Sequence, residues 1–448
     1  MNSLTVAKLG GTSLADHSAM QRCASVVINH PKTRLVVVSA SAGVTNSLVA
    51  LSKGNLDEAE KLSHLDKIHN IEMGLVESLV NPRAVKTRMT QLLQALNELV
   101  STPSLSTNPM LKDELLSYGE RMSSVIFTQV LIEAGVNASY FDVREVMKTD
   151  NRFSNAQPNL LQVKANVEAY LAPHVSSSVV VTQGFIGADD ENNTTTLGRG
   201  GSDYSAAILA EALNAGELHI WTDVSGIFTT DPRLASNARA IPEISFDEAA
   251  EMATFGAKIL HPATLIPAIR SGTRVFVGSS REPEKGGTWV LKSPDERPAY
   301  RAIALRREQT LVTLKSPDML HASGFLANVF ATLARHKVSV DLITTSEISV
   351  ALTIDNPSNS NAQALSQSLL DELAQMCEVR VEDGLALVAV IGNQMQAQTG
   401  VSSQVLTCID RYNLRMICHG ASQHNLCFLI NEENAEPVVS SLHQALFE

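Results

Sequence analysis

The chain has 448 residues, of which 44% are hydrophobic and 18% are charged, and its formal net charge at pH 7 is −12. One hydrophobic core does not support a chain of this length, so we expect two or three domains. Because binding to a phosphate backbone needs a basic face, the acidic balance argues against a nucleic-acid partner, although it does not exclude small anions.

The cysteine spacing and the length of the apolar runs indicate the cellular location of the protein. No CxxC spacing occurs, which favours reduced, mostly buried thiols in a cytosolic protein. No apolar run reaches the length of a membrane span, and the N-terminus lacks the pattern of a signal peptide. We therefore expect a soluble, cytoplasmic protein with no membrane partner.

The first part of the chain alternates predicted strands and helices. LTVAKLGGTS, near the N-terminus, is typical of a strand that enters a glycine turn, and RLVVVSASAG (34–43) is typical of a strand covered on both faces. Further strands are predicted at 176–187 and 217–227, and helices at 57–100 and 113–135. This alternation, with glycine and polar residues after the strands, predicts an α/β sheet whose site lies at the carboxyl edge of its strands.

The stretch LGRGGSDYS (197–205) directly precedes the apolar run AAILAEAL. Glycines let the backbone approach a ligand closely, and the first N–H groups of a helix attract negative charge. The stretch therefore predicts an anion site. The alternative is an ordinary glycine-rich turn in which Ser202 or Asp203 is the N-cap.

The last part of the chain contains an internal repeat. Gly324 to Ile354 aligns without gaps to Gly400 to Ile430, and each copy has the pattern helix, strand, hairpin, strand, followed by another helix. This self-similarity predicts two copies of one small α+β unit.

The two copies differ in their acidic residues. Asp341 and Glu347 of the first copy correspond to Ile417 and Gln423 of the second. Two carboxylates could bind an ammonium group, and the alternative is that they are solvated loop acids.

Common nucleotide motifs are missing from the sequence. It has no GxxxxGK[ST] motif and no HRD or DFG signature, and its GRGG is not a proper GxGxxG. Lys8 nevertheless lies in an apolar strand, where an unpaired ammonium is costly. Lys8, Lys258 and Arg199, with the glycine amides, would suit a highly charged phosphate group, although either lysine alone is typical of a surface residue.

Seven motifs occur in one order along the chain: KLGGTS at Lys8, SASAGVTN at Ser39, GE at Gly119, TTTLGRGGSDYSA at Thr194, WTDVSGIFTTDPR at Trp221, EMATFGAKILHPATL at Glu251 and SVDLITTSE at Ser339. In these motifs the chain resembles, over essentially its whole length, the aspartate kinases of the amino-acid kinase family, and most closely the monofunctional, lysine-sensitive type. The resemblance implies a kinase domain at 1–295 on an open, mainly parallel sheet covered by helices, then ACT domains at 296–383 and 384–448.

The same resemblance implies transfer of the ATP γ-phosphate to the side-chain carboxylate of L-aspartate, giving 4-phospho-L-aspartate for lysine, threonine and methionine biosynthesis. Since that carboxylate is already ionised, no general base is needed, and catalysis must come from positioning and charge neutralisation. Mg²⁺ is expected to be held mainly by phosphates and water, with no protein ligands. Feedback inhibition by L-lysine and a homodimer or larger assembly through the ACT domains are also implied.

Residue roles follow from matching positions. The resemblance implies that three residues are catalytic: Lys8, Asp203 and Lys258. The implied ATP-binding residues are Lys8, Gly10, Gly11, Ser41, Thr222, Asp223, Phe228, Arg233 and Lys258. The implied aspartate-binding residues are Ser39, Thr45, Glu120, Arg199, Gly200, Gly201 and Ser202. The implied lysine-binding residues are Met319, Ala322, Phe325, Leu326, Ser339, Val340, Asp341, Ser346 and Glu347. Two positions depart from relatives, which have Tyr in place of Phe228 and, in one case, Ser in place of Ala322.

Other functions fit part of this pattern. Acetylglutamate, glutamate and uridylate kinases share the fold but are not expected to combine the ACT pair with Arg199 and Glu120. A non-catalytic amino-acid sensor would require a decayed kinase domain, which the intact Lys8, Asp203 and Lys258 disfavour. Threonine is the alternative effector.

Overall fold

The structure is a computed structural model of the chain, and it describes residues 4–198, 200–257, 260, 262–320, 323–355 and 365–448. The chain divides into two compact units. Unit 1 comprises Met1–Ile227, Ala240–Phe246 and Ile259–Pro294, and unit 2 comprises Phe228–Arg239, Asp247–Lys258 and Asp295–Glu448.

An eight-stranded sheet forms the centre of unit 1. The strands in this part of the chain are β1 (Thr5–Leu9), β2 (Thr33–Val38), β3 (Ala138–Tyr140), β4 (Val179–Gln183), β5 (Ile186–Ala188), β6 (Thr194–Thr196), β7 (Glu217–Thr222), β8 (Glu243–Ser245), β9 (Arg274–Ser279) and β10 (Gly287–Leu291). The sheet order is β3-β4-β2-β1-β7-β9-β10-β8, and β5 pairs separately with β6. Every neighbouring pair in the large sheet is parallel except β9 with β10, so the predicted mainly parallel sheet is confirmed.

Helices alternate with these strands along the chain. They are α1 (His17–Asn29), α2 (Val44–Ser52), α3 (Glu58–Glu77), α4 (Arg83–Val100), α5 (Pro109–Glu133), α6 (Leu160–Asn166), α7 (Ala172–Ser177), α8 (Gly201–Ala212), α9 (Phe246–Thr254) and α10 (Pro262–Ser271). From Asp247 onward, α9 belongs to unit 2. One buried cluster joins β1 and β2 to α1 through α5, with Leu9, Val36, Ile68 and Phe127 all fully buried.

Several predicted elements have different bounds in the structure. The predicted helix at 57–100 is two helices, because Pro82 at the N-cap of α4 cannot continue α3. The predicted strand at 176–187 is divided between β4 and the start of β5, and its first residues, Ser176 and Ser177, complete α7 instead. Helix α5 begins before its predicted start because the Asn108 side chain accepts a hydrogen bond from the Met110 N–H and caps it.

Unit 2 is built on a six-stranded antiparallel sheet of order β12-β13-β11-β14-β16-β15. Its strands are β11 (Ala302–Lys315), β12 (Ile343–Thr345), β13 (Ser349–Asp355), β14 (Glu378–Ile391), β15 (Met416–His419) and β16 (Asn425–Asn431). Its helices after α9 are α11 (Phe325–Arg335), α12 (Gln367–Ala374), α13 (Val401–Cys408) and α14 (Ala435–Phe447). The elements α11, β12 and β13 recur as α13, β15 and β16, which is the repeat predicted from the sequence.

The two copies share their longest strands. The pairing of β11 with β14 shifts register between Arg306 and Gln309, so each strand contributes one end to each copy. One copy has a core that includes Val329 and Leu352, and the other has a core that includes Val405 and Phe428. The boundary predicted at 383/384 therefore lies inside β14.

Two predictions about environment concern the cysteines and the membrane. All five cysteines are free, but only Cys23 and Cys427 are buried, and the other three are half-buried. The described part of the chain has no helix with both the length and the apolar character needed to cross a bilayer.

Gly119 offers a test of how closely α5 packs on the sheet. A Cβ at this position would lie 2.6 Å from the Ala40 Cβ, whereas a Cβ at Gly74 in α3 would have no neighbour within 4 Å. We expect Gly119→Ala to lower the free energy of unfolding by about 1–3 kcal/mol, because the backbone must move. Gly74→Ala should instead raise it by about 0.5–1 kcal/mol. Denaturant unfolding would measure both, and a stabilised Gly119→Ala would contradict the tight packing.

Candidate functional site

An ion pair joins the first strand to the predicted anion site. Lys8 lies in buried β1 and is 9% exposed. Its Nζ is 2.6 Å from Oδ1 of Asp203, which lies in the first turn of α8. The carboxylate compensates an ammonium that would otherwise be costly to bury.

The glycine stretch forms an uncapped helix N-terminus. Gly200 is the N-cap of α8, with φ of 71°, and no side chain of the described residues makes a capping hydrogen bond there. The alternative of a turn capped by Ser202 or Asp203 is therefore wrong. Because the N–H groups and the dipole at this end attract negative charge, the start of α8 can bind an anion.

Two glycines bring α8 close to the end of β4. A Cβ on Gly184 would lie 2.7 Å from the Ser202 Cβ, and a Cβ on Gly201 would lie 2.8 Å from a ring carbon of Phe185. The Phe185 N–H donates to Ser205 Oγ at 3.0 Å. Side chains at either glycine would push the helix away from the sheet. Arg199 and Lys258 lie outside the described residues.

Three of the predicted aspartate-binding residues, Ser39, Thr45 and Glu120, lie in the loop after β2, in α2 and in α5. The Ser39 N–H donates to the Leu9 carbonyl at 3.1 Å, and Ser123 Oγ of α5 donates to the Ser39 carbonyl at 2.7 Å. Thr45 is exposed in the first turn of α2. Glu120 follows Gly119, the residue that allows α5 to approach this loop.

Glu120 is a buried carboxyl, 5% exposed. Burial raises its pKa to about 8, although hydrogen bonding to the Ala40 main chain and the Lys8 ammonium oppose the shift. Glu120 therefore holds a proton near neutral pH, and an ammonium group bound beside it would favour the ionised form.

Glu72 is not among the predicted site residues. It is fully buried in α3, and neither carboxyl oxygen has a hydrogen-bond partner among the described residues. Burial raises its pKa to about 8, and the Glu120 carboxyl adds to the shift. The Ser41 hydroxyl is likewise buried and unpaired within the described part of the chain. Glu72 shares a helix face with Ile68 and Leu75, so helical periodicity could have indicated its burial.

The predicted ATP-binding residues divide between the units. In unit 1, the Gly10 N–H donates to the Trp221 carbonyl at 3.1 Å, which places the turn after β1 beside the end of β7. Thr222 ends β7, and its hydroxyl donates to the Asp223 carboxylate at 3.1 Å. Gly11 approaches the loop after β2, since a Cβ on it would lie 3.0 Å from the Ala40 carbonyl oxygen.

The other two described ATP-binding candidates, Phe228 and Arg233, belong to unit 2. Phe228 is half-buried. The Arg233 guanidinium is exposed and lies 2.6 Å from the Asp231 carboxylate.

The predicted effector residues lie in the first repeat copy. Met319, Phe325 and Val340 pack against its core. Leu326 is exposed in α11, Ser339 is exposed after it, and Ser346 and Glu347 are exposed in the β12–β13 turn. Ala322 lies outside the described residues.

Asp341 is not a simple solvated acid. Its Oδ2 lies 3.3 Å from Nη2 of Arg306, and its side chain is only 25% exposed. Burial raises the pKa of Asp341, and the Arg306 guanidinium opposes this.

Comparison with known proteins agrees with this geometry. The profile of the Amino acid kinase family matches residues 3–279, and an ACT domain profile matches 312–367 and 388–446. The chain is 53% identical to lysine-sensitive aspartokinase 3 of Escherichia coli, and the alignment covers 100% of both proteins.

Two crystal structures of E. coli aspartokinase III are similar in fold, and each alignment covers 99% of this chain and 100% of the other at 53% identity. The complex with aspartate and ADP, described as the R-state, has a TM-score of 0.92. The complex with lysine and aspartate, described as the T-state, has a TM-score of 0.85.

The buried Glu72 carboxyl predicts a pH-dependent stability. Because its pKa is raised from 4.5 to about 8, the folded protein keeps this proton over that range while the unfolded chain loses it. The contribution of Glu72 to the free energy of unfolding should therefore fall as pH rises. Glu72→Gln imitates the protonated form, so its stability relative to the natural protein should grow between about pH 5 and about pH 8, by at most about 4 kcal/mol.

Denaturant unfolding at both pH values would measure the difference in stability between Glu72→Gln and the natural protein. Glu77→Gln, at an exposed position of the same helix, is the matched control and should show no pH-dependent difference. If the stability difference between Glu72→Gln and the natural protein stays constant with pH, the raised pKa of Glu72 is contradicted.

Proposed function

This chain belongs to the amino acid kinase family and, within it, to the aspartokinases, and from that premise we propose that it transfers the γ-phosphate of ATP to the side-chain carboxylate of L-aspartate under inhibition by L-lysine. The observation that carries this proposal is the 2.6 Å Lys8–Asp203 pair at the uncapped start of α8. The E. coli relative, crystallised with aspartate and ADP and with lysine and aspartate, supports it.

Charge neutralisation is the central requirement of this reaction. The attacking carboxylate and the γ-phosphate are both anions, so they repel each other until positive charge is placed between them. Lys8 is held near the carboxyl end of β1 by Asp203 and would supply one such charge. Lys258 would supply another. The N-terminus of α8 adds its dipole and N–H groups.

The aspartate substrate would be held by its own charges. Glu120 would bind the ammonium group, and Arg199 would bind the α-carboxylate through its planar fork. The remaining proposed contacts come from Ser39, Thr45, Gly200, Gly201 and Ser202. Because an ammonium favours the ionised form of Glu120, substrate binding would replace the proton that this carboxyl holds.

ATP would lie along the ends of β1, β2 and β7. Its proposed contacts are Lys8, Gly10, Gly11, Ser41, Thr222, Asp223, Phe228, Arg233 and Lys258. Phe228 lacks the phenol hydroxyl of the family's Tyr, so it would contribute only ring packing. Mg²⁺ would be held mainly by phosphates and water. The described residues contain no cluster of three or more His, Cys, Asp or Glu side chains that could hold a metal ion.

The regulatory assignment is also proposed. L-lysine would bind Met319, Ala322, Phe325, Leu326, Ser339, Val340, Asp341, Ser346 and Glu347. The domain division at 295/296 and 383/384, the homodimer or larger assembly and the cytoplasmic location stay predictions. The strong similarity to aspartokinases over the whole chain disfavours acetylglutamate, glutamate and uridylate kinases, and the intact Lys8–Asp203 pair disfavours a non-catalytic sensor.

The deciding experiment is a coupled ADP-release assay with L-aspartate, ATP and Mg²⁺, with and without lysine or threonine. Aspartate-dependent turnover that lysine alone suppresses would support substrate, reaction and effector together. No turnover with aspartate would overturn the substrate, and suppression by threonine alone would overturn the effector.

Lys8→Ala tests the proposed neutralising charge. We expect kcat to fall by about 10²–10³-fold, because a charge aimed at the transferring phosphoryl group is lost. Lys53→Ala, at an exposed position after α2, is the control and should keep normal turnover. A folded Lys8→Ala protein with unchanged kcat would show that this charge does not act on the transferring phosphoryl group, whereas a natural protein without turnover would support the sensor alternative.

Glu347→Ala tests the effector site. Removing a carboxylate that binds an ammonium group should raise the half-inhibiting lysine concentration at least about tenfold. Gln423→Ala changes the corresponding position of the second copy and should leave inhibition as it is. If the activity of Glu347→Ala without lysine fell about tenfold as well, the separation of effector and catalytic sites would be wrong.

A further inference from the structure

Helix α9 lies within the range matched by the Amino acid kinase family but packs in unit 2. Its Glu248 is fully buried, 2.8 Å from Nε of Arg301, and also accepts a hydrogen bond from Asn393 Nδ2 at 2.6 Å. One turn later, Glu251 accepts a hydrogen bond from Asn425 Nδ2 at 2.7 Å. The body of α9 is thereby fixed to the second repeat copy.

The end of α9 is held by a different residue. Arg306 Nη1 donates to the carbonyl of Thr254, the last residue of α9, at 3.3 Å. Gly256 packs directly on this part of β11, because a Cβ there would lie 2.7 Å from the Leu305 carbonyl oxygen and 3.2 Å from the Arg306 Cβ. With φ of 106°, Gly256 also has a backbone conformation that other residues rarely adopt. Arg306 thus contacts the chain just before Lys258.

The same guanidinium contacts the first repeat copy. Its Nη2 lies 3.3 Å from the Asp341 carboxylate, which is one of the proposed effector ligands. Arg306 therefore bridges an effector carboxylate and the end of the helix that leads to a proposed catalytic lysine. An effector ammonium that binds Asp341 competes with Arg306 for the same carboxylate.

We propose that Arg306 is a positioning residue that couples the two sites: it holds the end of α9 while paired with Asp341, and an effector ammonium that takes Asp341 weakens this hold. The proposal rests on the proposed function. Lysine would then have a lower affinity for the arrangement in which Arg306 pairs with Asp341 than for the one in which it does not. Inhibition through a population shift requires such a difference. The coupling also gives a role to Asp341 that the corresponding Ile417 of the second copy cannot perform.

Arg306→Gln in the full chain is the principal test. We expect kcat without lysine to fall about three- to tenfold while KM for aspartate stays within about twofold, since the variant changes positioning and not substrate contacts. Calorimetry should show lysine binding about fivefold more tightly, because lysine no longer competes with the Arg306 guanidinium for Asp341. A fivefold change corresponds to about 1 kcal/mol. Bound lysine should then suppress a smaller fraction of the remaining activity.

Two variants separate this role from a structural one. Arg306→Lys keeps the charge but loses the fork that reaches two partners, so its kcat and lysine affinity should lie between those of the natural protein and Arg306→Gln. Arg307→Gln makes the same charge change one residue away, where the guanidinium pairs with the exposed Glu436, and should match the natural protein. If Arg306→Gln binds lysine with unchanged affinity, the proposal is overturned.

Hydrogen exchange on the natural protein tests the coupling without any variant. The N–H groups of Phe255 and Ala257 donate to the carbonyls of Glu251 and Met252, each at 2.9 Å. Saturating lysine should speed exchange at these two amides and leave α14 unchanged. Unchanged exchange at 255–257 with lysine bound would refute the coupling. Absence of aspartate-dependent turnover would instead refute the proposed function, while lysine binding and exchange would still decide the coupling.

Discussion

The ion pair between Lys8 and Asp203 is the interaction on which the arrangement of unit 1 depends. A lysine in the middle strand of a parallel sheet is stable only if a carboxylate reaches it, and Asp203 does so from the first turn of α8. That reach requires α8 to start close to the sheet, which Gly184 and Gly201 allow. The same constraint places an uncapped helix N-terminus and an ammonium group side by side, so the requirements of folding and of anion binding coincide.

Much of unit 1 could be predicted from the sequence because its signals are local. Continuous apolar runs marked β1, β2 and β4, and the glycines after them marked the functional edge of the sheet. The apolar pattern alone did not locate the end of α3 at Glu77 or the short extent of β4. Glu72 was hidden for a different reason: a charged residue is ordinarily assigned to solvent, and its burial depends on how α3 packs against the loop after β2.

In unit 2 the sequence predicted the repeat but not its long-range strand pairing or the packing of α9. The repeat was visible as an ungapped alignment, and its helices and strands follow that alignment closely. What the alignment could not show is that β11 and β14 each pass through both copies, because strand pairing over long separations depends on contacts between distant residues. Nor does it show that α9 packs with the repeat, since Glu248 and Glu251 find partners well over a hundred residues away.

The placement of α9 has a consequence for anyone who would divide this protein. A fragment cut at residue 295, where the chain order suggests a boundary, would keep Glu248 but lose both Arg301 and Asn393. A carboxylate stripped of buried partners must gain water or a proton, so the helix would turn outward or the fragment would associate with itself. A kinase fragment that ends at residue 295 therefore lacks the buried partners of Glu248. It would need a redesigned α9 whose inward face is apolar, or a second chain that supplies the missing repeat.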